Sequence, residues 1–483
     1  MTPNAVADVS RRPEVVPPSG DPAVAVAVPK PGVARTRLLL DGPIVSTLLR
    51  LAAPNVVVNV VLIAVTASVD AHFVGRLGPS ALAGLSLVFP LLMLMQQVAN
   101  SSMGGAIASA IARALGSGRR ADASALAVHA LLVAAGMATL FTAAVLIAGP
   151  IVYGLMGGGG EVLVAALEYS SAIFGGALVY WMLSTLTSVV RGTGQAAVLA
   201  IVYVGAELLH ILLVPVLVFG LGPIPPLGVS GAGLATVASF GVSTGVLSWY
   251  VASGRTPLTL SLRSLRLERR LFGEILRVGA PMSLQPILNN LGLATLTAFA
   301  GALGPAALAG FGAAVRLEYI QYPLTFGLGA GVIAMVGTNI GAGQVARASR
   351  ITWMAAALAV AVTSSIGLLA FAWPAAWTSF FTASPAVQLT AASYLGVAAL
   401  AYPVLGVGLT MSSAFQAAGR PIWPLLATAG RVVVVAAGGW ISVHAAGAHL
   451  GRLGVVAAAG LVVYGATLAM AFRAGAWTKR LGA

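Results

Sequence analysis

Runs of about 20 apolar residues recur along almost the whole chain, each long enough to cross roughly 30 Å of hydrocarbon as an α-helix. Short glycine, proline and arginine clusters separate them, among them GPIVYGLMGGGG (149–160), GLGPIPPLG (220–228) and WPAAW (373–377). Run length and turn punctuation predict twelve spans. Six lie near 45–73, 80–112, 122–147, 161–190, 196–219 and 228–252. Six more lie near 274–299, 305–337, 349–373, 386–416, 421–445 and 453–475. Several are longer than a straight crossing needs, so tilt, or kinks at Pro90, Pro323 or Pro403, is expected. The predicted fold is an all-α integral membrane protein.

The pattern occurs twice. ILRVGAP at 275–281 repeats LLRLAAP at 48–54 (281 − 54 = 227), and ALGPAALAG at 302–310 repeats RLGPSALAG at 76–84 (310 − 84 = 226). NIGAGQVARAS at 339–349 repeats ALGSGRRADAS at 114–124, and QAAGR at 416–420 falls over RGTGQ at 191–195, both at an offset of 225 (349 − 124; 420 − 195). A unit of roughly 225 residues is therefore duplicated. An even number of spans per unit makes the repeats parallel, as two six-helix lobes over residues 45–252 and 274–475. Residues 253–273 form a basic linker, interleaved with leucines, that lies along the inner membrane surface or is solvated. Residues 1–42 read as a disordered cytoplasmic tail and 476–483 as a short C-terminal one. Gly75, Gly78 and Gly84 are expected to turn and pack the first two spans against each other.

Composition agrees: 59% of residues are hydrophobic and 8% charged, against about 25% charged in a soluble domain. The net charge of +14 makes no nucleic-acid face, because the arginines fall between apolar runs. Arg35, Arg37, Arg113, Arg119, Arg120, Arg191, Arg255, Arg263, Arg266, Arg269, Arg270, Arg347, Arg350, Arg420 and Arg473 occupy alternate connections and termini; the other connections hold Arg76 and Arg452. That pattern predicts both termini cytoplasmic in the plasma membrane. Every arginine except Arg316 is assigned to a span end or a loop. No cysteine is present, which excludes disulfides and thiolate chemistry.

Within the runs, ionisable residues are the candidates, since a charge in hydrocarbon is costly. Asp70 continues a stripe with Asn55, Asn59 and Thr66, spaced to stay on one helix face; alternatively it caps the outer end of span one. Glu207 and His210, three apart in span five, share a face with Tyr203, as a working site or as a pair satisfying itself. Glu318 in span eight shares its face with Gln321, Tyr322 and Thr325, as a cavity acid or as a partner of Arg316. Glu161 and Glu168 read as outer surface groups. Tyr180, Trp181, Phe299, Phe311, Tyr319, Tyr322 and Tyr402 could offer ring faces to a planar cation or simply pack.

These motifs, in this order and duplicated, resemble the multidrug and toxic compound extrusion (MATE) family, and in particular its prokaryotic branch related to DNA-damage-inducible protein F. The carriers are the Pro54-led first span with Asp70, GRLGPSALAG, RALGSGRRADA, RGTGQ and PPLGVSGAGLAT (225–236), with LGPAALAG, NIGAGQVARA and QAAGRP in the second half. The resemblance covers residues 45–475. It implies a two-lobed secondary exporter of amphipathic, often cationic, organic compounds, driven by inward cation flow through alternating access. It also implies that Asp70 binds the coupling cation. The related branch has an asparagine and an aspartate where this chain has His210 and Val214. Other branches have an acid in span seven where Asn289 stands here, beside Gln285, and an acid in span ten that has no counterpart.

The resulting expectation is a proton-coupled or, less well supported, sodium-coupled exporter. Asp70, Glu207, His210, Asn59 and Thr66 form its coupling site; Glu318, Tyr203, Tyr180, Gln285, Asn289, Tyr319 and Tyr322 line its substrate cavity. A sodium ion wants several oxygen ligands, and imidazole with Val214 leaves a poorer cage. A proton needs only carboxylates whose charged form burial disfavours. The chain is expected to act as a monomer without cofactor or metal, with a small organic substrate and the bilayer as partners. Two other readings stand beside this one. A lipid-linked precursor flippase would need a cationic cavity, which the loop-bound arginines argue against. A membrane enzyme or channel finds no HExxH, nucleophile–histidine pair or phosphate loop in support.

Overall fold

A computed structural model describes residues 31–60, 66–259, 267–444 and 449–478. The first half contains α1 (Pro31–Asp41), α2 (Ile44–Val60), α3 (Thr66–Gly75), α4 (Pro79–Gln97), α5 (Gly104–Gly116), α6 (Arg120–Leu155), α7 (Gly160–Gly175), α8 (Ala177–Gly192), α9 (Ala196–Phe219) and α10 (Gly228–Ala252). The second contains α11 (Arg269–Ala302), α12 (Pro305–Gly341), α13 (Val345–Ala372), α14 (Pro374–Thr378), α15 (Pro385–Ala398), α16 (Tyr402–Ala417), α17 (Ile422–His444) and α18 (Leu450–Arg473). Among the described residues, nine uninterrupted helical stretches are long and apolar enough to cross a membrane; α7 and α8, bent by 47° at Gly176, make a tenth. The remaining two of the twelve spans are α2 with α3, which flank residues outside the described set, and α11, whose first turns are charged.

The repeat is visible in the backbone. Gly118 and Gly343 turn their loops with φ of 75° and 77°, and Gly194 and Gly419 with 77° and 73°. Each pair is 225 apart, and a positive φ at each favours glycine. Apolar cores fill each lobe: Trp181, Phe174, Leu183 and Leu186 pack in the first, Phe311, Tyr394, Leu405 and Leu453 in the second. Trp181 and Phe311 are thus core packing.

Contacts between the lobes gather at the arginine-rich end, where α5 crosses α12. Gln416 donates from Nε2 to the carbonyls of Ser101 and Ser102, both at 3.0 Å, and Arg113 donates to the Ala417 carbonyl at 2.7 Å. Ser101 and Ser102 lie in a π-helical turn, Val98–Met103, between α4 and α5. Such a turn disrupts the i→i−4 ladder and frees carbonyls for outside donors. Arg191 is the repeat counterpart of Gln416 (416 − 191 = 225). It also reaches across, stacking 5.4 Å over the Phe326 ring, and Phe326 is the counterpart of Ser101 (326 − 101 = 225).

Four expectations are corrected here. Part of the supposed tail is helical: α1 docks on the second lobe, with Leu39 buried and its carbonyl accepting from Asn339 at 3.0 Å. The linker is shorter than 253–273, because α11 begins at Arg269. It is pinned by buried His129, whose Nε2 accepts the Glu268 backbone N–H at 3.0 Å. Leu262 and Leu265, which suggested a surface-lying linker, are outside the described residues. At the C-terminus, Trp477 is buried and stacked 4.6 Å from Phe472 rather than free in a tail. Gly84 packs against α7, where a β-carbon would meet Ala165 and Ala166 at 2.7 Å, and not against the first span.

Candidate functional site

Four helices of the first lobe carry ionisable or polar side chains to one buried point. His210 on α9 stands between two carboxylates: its Nε2 is 3.1 Å from Asp70 Oδ1 on α3, and its Nδ1 is 3.5 Å from Glu207 Oε2 one turn back. All three residues are 3% exposed or less. The other carboxylate oxygens are also held. Tyr169 on α7 donates its hydroxyl to Asp70 Oδ2 at 2.7 Å, and Thr66 donates to Glu207 Oε1 at 2.7 Å. Thr236 on α10 places its hydroxyl 3.1 Å from His210 Nε2. Three residues, Tyr169 on α7, Thr66 on α3 and Thr236 on α10, thus fix the imidazole and its two acids. Asp70 is therefore no surface cap of the turn after span one.

Proton arithmetic follows from the geometry. A doubly protonated ring can present one N–H to each carboxylate. Removing one proton leaves a carboxylate without its donor in a low-dielectric interior, an expensive arrangement. A dehydrated metal cation bridging the two acids would need the space that the ring occupies, and Val214, fully buried, adds no oxygen.

Of the predicted coupling residues, Asp70, Glu207, His210 and Thr66 come together. Asn59 does not; its amide donates to the Asn55 carbonyl one turn back. The predicted cavity residues separate into two groups inside the lobes. In the first lobe, the Tyr180 hydroxyl accepts from Asn100 at 2.6 Å, and Tyr203 meets Thr187 at 3.3 Å. Beside them Arg191, 3% exposed, donates from Nε to Asn55 Oδ1 at 2.9 Å. In the second lobe, Glu318 pairs with Arg431 of α17 at 3.0 Å, with Tyr322 against the guanidinium. Gln285 donates to Thr428 at 3.1 Å, one turn from Arg431. Asn289 is half-buried, and Tyr319 is 49% exposed.

Two arginine assignments fail. Arg316 is exposed and lies over Phe381 at 5.0 Å, so it is no partner of Glu318. Arg431, taken as an end or loop residue, sits in the middle of α17. The rule that singled out Asp70, a lone charge inside an apolar run, applies equally to TAGRVVVV and would have found it. Thr236, last residue of the PPLGVSGAGLAT run, was within a quoted motif; Tyr169 carried no sequence signal beyond being aromatic.

A duplicated twelve-span helical fold with buried ionisable clusters inside its lobes is the architecture of a secondary transporter. The MatE family profile matches the chain twice, over residues 56–216 and 281–441, with an offset of 225 (281 − 56) equal to that of the internal repeat. The chain belongs to this family of membrane transporters and is not an enzyme. It is 27% identical to a FAD transporter of Shewanella oneidensis over 408 residues, covering 82% of this chain and 87% of that one. It is 24% identical to a probable multidrug resistance protein NorM of Thermotoga maritima, covering 79% and 82%. A solved structure described as the outward-facing conformation of a multidrug resistance MATE family transporter superposes with a TM-score of 0.81 at 25% identity, covering 93% of this chain and 99% of that one.

Proposed function

We propose that the protein exports amphipathic organic compounds across the plasma membrane in exchange for protons. The carrying observation is His210 held between Asp70 and Glu207 in the interior of the first lobe. Proton entry would let both acids and the ring settle in a closed packing of α3 against α9; proton release would loosen it. Binding of substrate and of proton then bias the same two-state element in opposite directions, which is the reciprocity an antiporter needs. With the arginine-rich end in the cytoplasm, the lobe contacts at α5 and α12 would close the inner side.

The names of the relatives span drugs and a dinucleotide cofactor, so the reading is an amphipathic organic molecule rather than a cation as such. The ground for setting the flippase aside, arginines confined to span ends and loops, does not hold for Arg431, which lies inside α17. A second reading, export of an anionic aromatic metabolite, is favoured by Arg431 at mid-span.

The test is efflux from proteoliposomes under an imposed pH gradient without sodium, repeated with Asp70→Asn and Glu207→Gln. Transport in the wild type and its loss in Asp70→Asn are expected. Sodium-dependent, pH-insensitive transport would reject proton coupling, and full activity in Glu207→Gln would confine the site to Asp70.

A further inference from the structure

The helices α9 and α17 are repeat counterparts, and a shift of 225 brings Arg431 onto Ala206 (431 − 225 = 206), the neighbour of Glu207. At equivalent levels of the two repeats, the first lobe therefore carries the Asp70–His210–Glu207 cluster and the second carries the Arg431 guanidinium, paired with Glu318. Placing an arginine at the centre of a span is costly. A buried ion pair offsets that only when the hydrogen bonds around it are complete.

Around Glu318–Arg431 they are incomplete. Both amide atoms of Gln321, one turn after Glu318, and the hydroxyls of Tyr394 and Tyr402 are buried without a hydrogen-bond partner among the described residues. Tyr394 and Tyr402 lie within Coulombic reach of Glu318, and Tyr322 and Tyr464 within reach of Arg431. A pair kept for stability has its surroundings satisfied. The guanidinium and the phenols of Tyr322, Tyr394 and Tyr402 gather around one carboxylate, and the unpartnered hydroxyls of Tyr394 and Tyr402 are free to donate. That is the inventory of a site awaiting an oxyanion, for which the planar guanidinium is well shaped.

We infer that Arg431 is the docking point for a carboxylate or phosphate of the transported amphiphile, which takes the place of Glu318. The displaced Glu318 carboxylate turns to the free hydroxyls of Tyr394 and Tyr402 and stays ionised, so no proton is consumed. Tyr322 donates to the incoming oxyanion. The substrate class is then an organic anion or zwitterion, not a simple cation. This rests on the export reading for its purpose, but its test is binding and needs no gradient.

The experiment is fluorescence anisotropy of fluorescein, an aromatic carboxylate, and of ethidium, a permanent cation, on the purified full-length protein in detergent. Fluorescein is expected to bind the wild type and to bind Arg431→Ala at least tenfold more weakly, with partial recovery in Arg431→Lys. Glu318→Gln removes the competing carboxylate and is expected to bind fluorescein severalfold more tightly. That gain separates a displaceable pair from a structural one, and it decides the matter should Arg431→Ala fail to fold. No fluorescein binding by the wild type, equal loss of ethidium binding in Arg431→Ala, or weaker fluorescein binding in Glu318→Gln would overturn the inference.

Discussion

Gly116 and Gly341 are repeat counterparts (341 − 116 = 225), and each faces the backbone of the opposite lobe. A β-carbon on Gly116 would overlap the Thr338 carbonyl, and one on Gly341 the Arg113 carbonyl; Thr338 and Arg113 are themselves 225 apart. One contact is thus made twice about a pseudo-two-fold axis, at the end where the lobes meet. In lipid, such close approach of backbones requires small residues.

Gly341→Val is expected to keep the lobes from closing at that end while leaving each lobe folded. The chain has no cysteine, so Ser102→Cys, buried at 2% exposure, gives a single reporter. Labelling of that thiol by a water-soluble maleimide should be faster in the Gly341→Val background. Equal rates would show that the crossing does not seal the inner side.

Thr236 acts on the coupling site through the imidazole. Thr236→Val removes a hydroxyl from His210 Nε2, a hydrogen bond of about 0.5–1.5 kcal/mol, and should lower gradient-driven efflux by about twofold to tenfold. Thr236→Ser keeps the hydroxyl and should restore the rate. Unchanged efflux in the valine variant would mean the ring is fixed by its carboxylates alone.

Arg191 and Gln416 hold equivalent interlobe positions with different chemistry. Gln416→Ala removes both donors to Ser101 and Ser102 and should lower the apparent Tm in detergent. Arg191→Gln, which installs the residue of the counterpart position, should be milder than Arg191→Ala, which loses the bond to Asn55 and the stacking on Phe326. Equal Tm for the two Arg191 variants would deny the equivalence.

Gly84 and Gly75 separate packing from turning. Gly84→Leu should destabilise by about 1–3 kcal/mol through overpacking on α7. Gly75→Ala should be near neutral, since the nearest atom to its β-carbon is Leu82 Cδ2 at 3.8 Å. Comparable melting temperatures for both would refute the close α4–α7 contact.

The sequence alone determined the membrane class, the twelve spans, the two parallel repeats and the acids at Asp70 and Glu207 with His210. These follow from properties that are local or periodic: apolar run length, turn residues, the three-residue spacing of Glu207 and His210 on one helix face, and an offset of 225 read along the chain. What the tertiary structure decided is which helices face one another. Tyr169 reaches Asp70 from 99 residues away and Thr66 reaches Glu207 from 141, and nothing in one helix announces its neighbour. The partner of Glu318 was misread for the same reason. Arg316, two residues away in sequence, points off the far side of the helix, while Arg431, 113 residues away, meets the carboxylate, because helix geometry separates i from i+2 and packing alone brings distant spans together.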